Sequence, residues 1–217
     1  SKQPGNSVPF NYYDNSFQNP KTGDGYAMLV AGPQNIRSYL QQQMRDTLIK
    51  NKCYYVEFWV SLVNHVKYAC NNISALLTKN SVSALNLNVI VDNPQIINFG
   101  NPIINDTLNW VKVSTVFIAQ GGEKFITLGN FFDFANTNFS VLNPNSSYTS
   151  EYYIDDISVY PLDSIILKAD AGQDKNITLG DSTFIGSYTN GLTGVRWFNN
   201  LGQEITAKAG IPGFFVK

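Results

Sequence analysis

The chain is short of charge. Lys, Arg, Asp and Glu make up 14% of its residues and the formal net charge is -1, against the roughly 25% charged residues of an ordinary soluble domain. No patch or run of basic residues is present to release counterions from a phosphate backbone, so neither nucleic acid nor an anionic membrane surface is expected as a partner. Histidine occurs once, as His65, in an expected turn from Val63 to Tyr68. With no second His and no Ser or Cys motif that would use it as a base, zinc and triad chemistry have no residues to work with. Cys53 and Cys70 are too few to staple a fold and wrongly spaced for zinc. The first falls early in a strand and the second just ahead of the next, so a hairpin register does not set them opposite. Two free thiols are the expected state, with a bridge left open. No apolar run approaches the ~20 residues of a membrane span. No charged segment and hydrophobic stretch follow Ser1 as in a leader peptide, which reads as a mature or trimmed chain. Helical periodicity is lacking too, apart from one turn near Ser81 to Leu85.

What is present is strand composition. Cys53 to Leu62 alternates cleanly: Tyr54, Val56, Phe58, Val60 and Leu62 form one face and Tyr55, Glu57, Trp59 and Ser61 the other, the pattern of a strand buried on one side. Ile36 to Met44 alternates as well, with Ile36, Ser38, Leu40, Gln42 and Met44 expected toward a core. Further strands are expected at Tyr26 to Ala31, Ile73 to Thr78, Leu87 to Val91, Gln95 to Asn98, Trp110 to Ala119 and Phe125 to Asn130. Asn93-Pro94, Gly100-Asn101-Pro102 and Gly121-Gly122 supply turns between them. The first 24 residues, rich in Pro, Gly and Asn, read as an irregular lead-in. Short strands spaced by turns argue an all-β fold, a β-sandwich.

Glu151 to Pro161, EYYIDDISVYP, is the most informative stretch. Apolar Ile154 and Ile157 stand three apart rather than two, so alternation fails at Asp155 and Asp156 and a bulge or bend is expected there. Two carboxylates in mid-strand need a reason: capping of backbone donors, or ligation of a hard cation. Past Asp163 the composition changes. Strands expected at Ile165 to Ala169, Asn176 to Leu179, Ser182 to Ser187, Gly194 to Phe198 and Glu204 to Lys208, with Trp197 as a core aromatic, describe a small second sandwich. An immunoglobulin-like domain takes ~100 residues, so 164–217 reads as partial, to be completed by further chain or a partner strand. Phe214 to Lys217 is the segment expected to pair with that partner.

The segments YYVEFWVSLVNHVKYACNNI, INDTLNWVKVSTVFIAQGGEKFITLGNFF and YYIDDISVYP, in that order, resemble the carbohydrate-binding-module-like jelly-roll domains of large secreted and cell-surface proteins of the Bacteroidetes. The resemblance implies a jelly-roll β-sandwich over 1–163 followed by a partial PKD or immunoglobulin-like β-sandwich over 164–217. It also implies a secreted or cell-surface location, and type 9 secretion and other surface components as partners, gliding adhesins being among such proteins. The family's first strand, an Asn-Pro-Ser-Phe-Glu type segment ahead of the Val8 region, is missing, so the chain reads as a fragment. Short Asp-Ser/Thr motifs matching the group's O-glycan acceptor pattern place sugars on Thr47, Thr107, Ser164 and Ser182.

For function, the residues favour binding over catalysis. Sugars are held by aromatic faces and by amides and carboxylates. The non-core face is expected to supply Arg37, Tyr39 and Gln41 from one strand and Tyr55, Glu57 and Trp59 from another, with Phe131, Phe132 and Asp133 at its rim. The opposing reading is that a sheet face covered by the lead-in also wants aromatics. Glycoside hydrolysis needs two carboxylates facing across a cleft. Glu57 and Asp133 are the one pair that can be nominated, and no hydrolase signature accompanies them. The expectation is a non-enzymatic module for adhesion, surface display or attachment to a polysaccharide or surface glycan, a ligand-free spacer being the alternative. A cofactor is not expected beyond a structural calcium ion at Asp155 or Asp156, with Asp24 a weaker ligand.

Overall fold

The computed structural model describes residues 6–11, 16–84, 88–98, 100–162, 183–186 and 213–216. The chain divides into two compact units, Ser1–Leu162 and Asp163–Lys217. In the first, three two-residue strands of the lead-in, β1 (Asn6–Ser7), β2 (Phe10–Asn11) and β3 (Ser16–Phe17), precede β4 (Ala27–Val30), β5 (Leu40–Gln43), β6 (Cys53–Leu62), β7 (Tyr68–Cys70), β8 (Ser74–Thr78), β9 (Val111–Ile118), β10 (Phe125–Gly129), β11 (Phe139–Val141) and β12 (Glu151–Pro161). A four-stranded sheet runs β4-β12-β6-β9 and a three-stranded sheet runs β5-β10-β8, every described pairing being antiparallel. Successive strands change sheet: β4, β6, β9 and β12 lie in the first, β5, β8 and β10 in the second. That alternation is the jelly roll. The β7–β11 pair and the β1-β2-β3 ribbon flank it.

The alternation read from β6 is what the fold uses. Val56, Phe58, Val60 and Leu62 are buried in one continuous core with Leu29, Val113, Tyr152 and Ile154 of the same sheet and Ala75, Leu77, Ile126 and Leu128 of the other. Burial of such side chains is worth ~1.5–3 kcal/mol each. In β12 the register slips between Asp155 and Ser158, so that Asp156 and Ile157 together face Phe58, the bulge that the broken alternation called for. Asp156 sits there at φ 50°, a left-handed conformation that Asp tolerates better than most residues.

Several expectations are corrected. From Ile36 to Met44 only Leu40–Gln43 is strand, and its upstream end faces the other way: Ile36 is exposed and Arg37 is fully buried. The cause is Arg37 itself, whose guanidinium donates to the carbonyls of Gly32, Ile36 and Phe132 and so ties two loops together. Of residues 88–98, where two strands were expected, only Ile96 pairs, through an isolated bridge to Ala75; residues 85–87 lie outside the described residues, and 81–84 form no helical turn. Strands β1, β2, β3, β7 and β11 were not anticipated.

In the second unit the described residues form one antiparallel pair, β13 (Thr183–Gly186) with β14 (Gly213–Val216). The strand expected to seek an outside partner therefore pairs within its own chain. Trp197 and the other expected strands of 164–217 lie outside the described residues.

Candidate functional site

The outer face of the four-stranded sheet carries a grid of side chains fixed by register. Tyr55 of β6 stands between Tyr160 of β12 and Val116 of β9; Glu57 stands between Ser158 and Ser114; Trp59 stands between Asp155 and Lys112. Above Trp59 the face closes. Ser61 accepts a hydrogen bond from Gln18 at 2.7 Å, and Tyr26 packs on Tyr153 with ring centroids 4.5 Å apart. Trp110 donates from Nε1 to the Asn19 carbonyl at 2.9 Å. The lead-in thus covers the Ser61 and Tyr153 end of the face and leaves Glu57, Trp59 and Tyr160 partly exposed, Tyr55 itself being buried.

Within the open rows the polar groups are paired to one another. Tyr160 donates its hydroxyl to Glu57 Oε1 at 2.7 Å, and Lys112 Nζ lies 3.7 Å from Glu57 Oε2. The Tyr55 and Tyr160 rings stack at 5.9 Å with 22° between planes. Partial burial, and then the adjacent Glu57 carboxylate, push the Tyr160 phenol up to about 12. The Trp59 ring carries two ammonium groups nearby, Lys21 Nζ at 4.3 Å and Lys112 Nζ at 5.9 Å from its centroid. Lys21 belongs to the exposed lead-in and is held by backbone, its N–H donating to Asp155 Oδ2 at 2.8 Å.

Asp155 and Asp156 serve the capping role. Asp155 accepts from Lys21 N–H and, through Oδ1, from the Asp156 N–H at 2.8 Å, while Asp156 Oδ1 accepts from Thr22 Oγ1 at 2.6 Å. The pair anchors the lead-in to the bulge. Asp24 sits in an exposed turn, and among the described residues no group of three His, Cys, Asp or Glu side chains converges in a way that suits a metal ion.

The other half of the expected sugar face is elsewhere. Gln41 belongs to the three-stranded sheet, paired to Thr127 on the side away from the core, and Tyr39 lies just ahead of its strand. That side is covered by the segment after β8: Gln41 Nε2 donates to the Val82 carbonyl and to Thr127 Oγ1, and the Tyr39 hydroxyl accepts from Ile90 N–H while donating to the Asn130 carbonyl. Phe131 is buried with its ring 5.1 Å from that of Tyr39, and Phe132 contributes its carbonyl to Arg37. Asp133 caps Asn136 in an exposed loop after β10, whereas Glu57 lies on β6 of the four-stranded sheet, engaged by Tyr160 and Lys112. Arg37, buried among carbonyls, is a cross-link and not a ligand contact. Tyr160 and Lys112, which complete the open grid, were missed. The signal for Tyr160 was its outward parity after the bulge, and for Lys112 its alternation in β9.

His65 is an exposed turn residue at φ 63°, as read from sequence. Cys53 and Cys70 are free thiols, Cys70 being buried beside Ser150 and the Ala31 carbonyl. Of the expected O-glycan acceptors, Thr47 is exposed and Thr107 half-buried, while Ser164 and Ser182 lie outside the described residues.

No protein-family model matches the chain, and no curated protein matches it. Among solved structures it is similar to a family 16 carbohydrate-binding module, with 16% identity and a TM-score of 0.33 over 64% of this chain and 79% of that one. It is also similar to the xylan-binding CBM22-1 domain of Paenibacillus barcinonensis Xyn10C, with 11% identity and a TM-score of 0.38 over 68% of this chain and 79% of that one. The jelly roll itself rests on the strand order and core given above.

Proposed function

We propose that the protein is a non-catalytic carbohydrate-binding module, part of a larger secreted or cell-surface protein, that holds polysaccharide against the open rows of the four-stranded sheet. The observation that carries this reading is the juxtaposition on one face of the partly exposed Tyr160 and Trp59 rings, Tyr160 backed by the buried Tyr55, with the Glu57 carboxylate and the Lys112 ammonium. Aromatic faces take the C–H surfaces of a sugar ring, and the flanking charged groups take its hydroxyls through charge-assisted hydrogen bonds. A partly wet, half-apolar platform of this kind suits a neutral chain better than a small charged metabolite. The low charge of the whole surface agrees with a partner that is itself uncharged.

Lys21 competes for the Trp59 ring. Its cation–π contact is worth ~0.5–1 kcal/mol at an exposed site, so a sugar stacking on the same face displaces it at that cost. The test is calorimetry and affinity electrophoresis against a panel of soluble plant, fungal and bacterial polysaccharides. At least one should bind. Trp59→Ala should weaken that binding about 10-fold or more, equivalent to ~1.4 kcal/mol, with little change in melting temperature, and Lys21→Ala should tighten it by roughly 2- to 5-fold. Absence of binding across the panel would refute the reading and leave a structural spacer in its place.

A further inference from the structure

A second surface lies at the edge of the same sheet. β12 is flanked on both sides only from Glu151 to Ile154, where β4 and β6 pair with it; from Ser158 to Pro161 its described neighbour is β6 alone. Alternate backbone N–H and C=O groups of that run point away from β6, toward the side that β4 no longer covers. Natural edges are blunted by charge or Pro. Here the stretch between the Asp156 bulge and Pro161 is Ile157, Ser158, Val159 and Tyr160, which contains no charged residue.

Beside this edge a groove of about 450 Å³ opens between the two sheets. Ile157, Val159, Met44, Leu48, Tyr54 and Ile126 line it, together with polar side chains of the 42–47 segment and Lys52. Ile157 is 41% exposed and Ile49, at the rim, 61%. The bulge produces this geometry: by shifting parity after Ile154, it turns Ile157 and Val159 into the groove.

From an edge that no described strand pairs, together with the largely apolar groove, we infer that β12 accepts an added strand from a partner polypeptide, an extended segment with apolar side chains at alternate positions that complete the core. Only a peptide strand meets both requirements. A glycan supplies hydrogen bonds to the edge but buries its hydroxyls against Val159 and Met44. A fatty chain fills the groove but leaves the backbone groups unpaired. A second copy pairing its own β12 edge supplies the ladder, but its Ile157 and Val159 lie in its own groove and leave this one empty. In strand addition the main chain gives affinity and the alternate side-chain pockets give selectivity.

The test is hydrogen exchange on the full 217-residue chain with and without a synthetic peptide of alternating Thr and Val, seven residues long. Without peptide, the amides of Ile157 to Tyr160 that face the edge should exchange far faster than those of Tyr152 to Ile154. With saturating peptide they should slow by 10-fold or more. The same peptide N-methylated at alternate residues should fail to protect them, and Ile157→Lys should abolish the effect. If that variant misfolds, the N-methylated peptide still decides. The inference is overturned if these amides are already protected in the free chain, whether by its own residues or by a second copy detected in sedimentation. It is equally overturned if the peptide leaves their exchange unchanged, or if the N-methylated peptide protects them as well.

Discussion

Replacing Tyr152 by Phe removes one oxygen from the middle of the sandwich and should destabilise it by about 2–4 kcal/mol. The ring is fully buried, and its hydroxyl accepts from the Cys70 N–H at 2.7 Å while lying 3.0 Å from the Ile104 carbonyl and 3.1 Å from that of Cys70, either of which takes its proton. It therefore clasps the start of β12 to β7 and to the strand-like bridge at Ile104. Phe fills nearly the same volume, so the cavity contribution is small. What remains is a buried Cys70 donor deprived of this acceptor, at ~1–3 kcal/mol, and the loss of the donated bond, at ~1 kcal/mol. For a unit of this size that corresponds to a fall in melting temperature of roughly 4–16 °C, at about 2–4 °C per kcal/mol. Urea denaturation reports it directly, followed at Trp59 and Trp110 in a Trp197→Phe background so that the second unit is silent. With a slope of about 2 kcal/mol/M, the midpoint should drop by ~1–2 M at unchanged slope. A shift smaller than ~0.3 M would refute the reasoning, because it would mean that the freed groups find other partners at no cost.

Two further outcomes follow from the ionisable groups. Tyr160 prefers its neutral form in the folded state, so its contribution to stability is fully present below the ordinary phenol value near 10 and is lost as pH rises toward about 12; the ultraviolet difference titration of wild type minus Tyr160→Phe should show one phenol ionising near the upper figure, and an ionisation near 10 would contradict the Glu57 contact. Burial pushes the Cys70 thiol up and keeps it from reagents, so an aromatic disulfide reagent should modify Cys53 alone in the native protein and Cys70 only after denaturation, whereas prompt reaction of both would show that the core opens at β7.

How much of this was legible beforehand depends on the length over which a pattern repeats. β6 and β12 were bounded to the residue because each runs ten or eleven residues, long enough for alternation, and for its single failure at Asp155 and Asp156, to stand out. β7 and β11 are three residues each, and two-residue strands such as β2 have no period at all. Arg37 went unread for a different reason. A buried guanidinium held through its two terminal nitrogens by three carbonyls leaves no hydrophobic signature, and alternation placed it outside. The candidate site was half legible: Tyr55, Glu57 and Trp59 are neighbours in one strand, but Tyr160 is 103 positions from the Glu57 it touches, and only register could bring them together. Register likewise set Gln41, with Tyr39 just ahead of its strand, on the other sheet from Trp59.

The place of β12 in the sheet bears on how the first unit comes into being. It is the last strand of that unit to leave the ribosome or a translocation channel, yet it lies between β4 and β6, with only the pairing of β6 to β9 independent of it. Until residue 161 has emerged, β4 has no sheet to join, Phe58 and Val60 lack half of their neighbours, and the lead-in has no Asp155 and Asp156 to fasten on. Pairings across more than a hundred residues close slowly. A nascent or threading chain therefore remains open, with its hydrophobic interior exposed, until nearly the whole unit has been delivered, and closure then comes in a single late step. While it waits, such a chain exposes apolar surface and unpaired strand edges and is prone to aggregate.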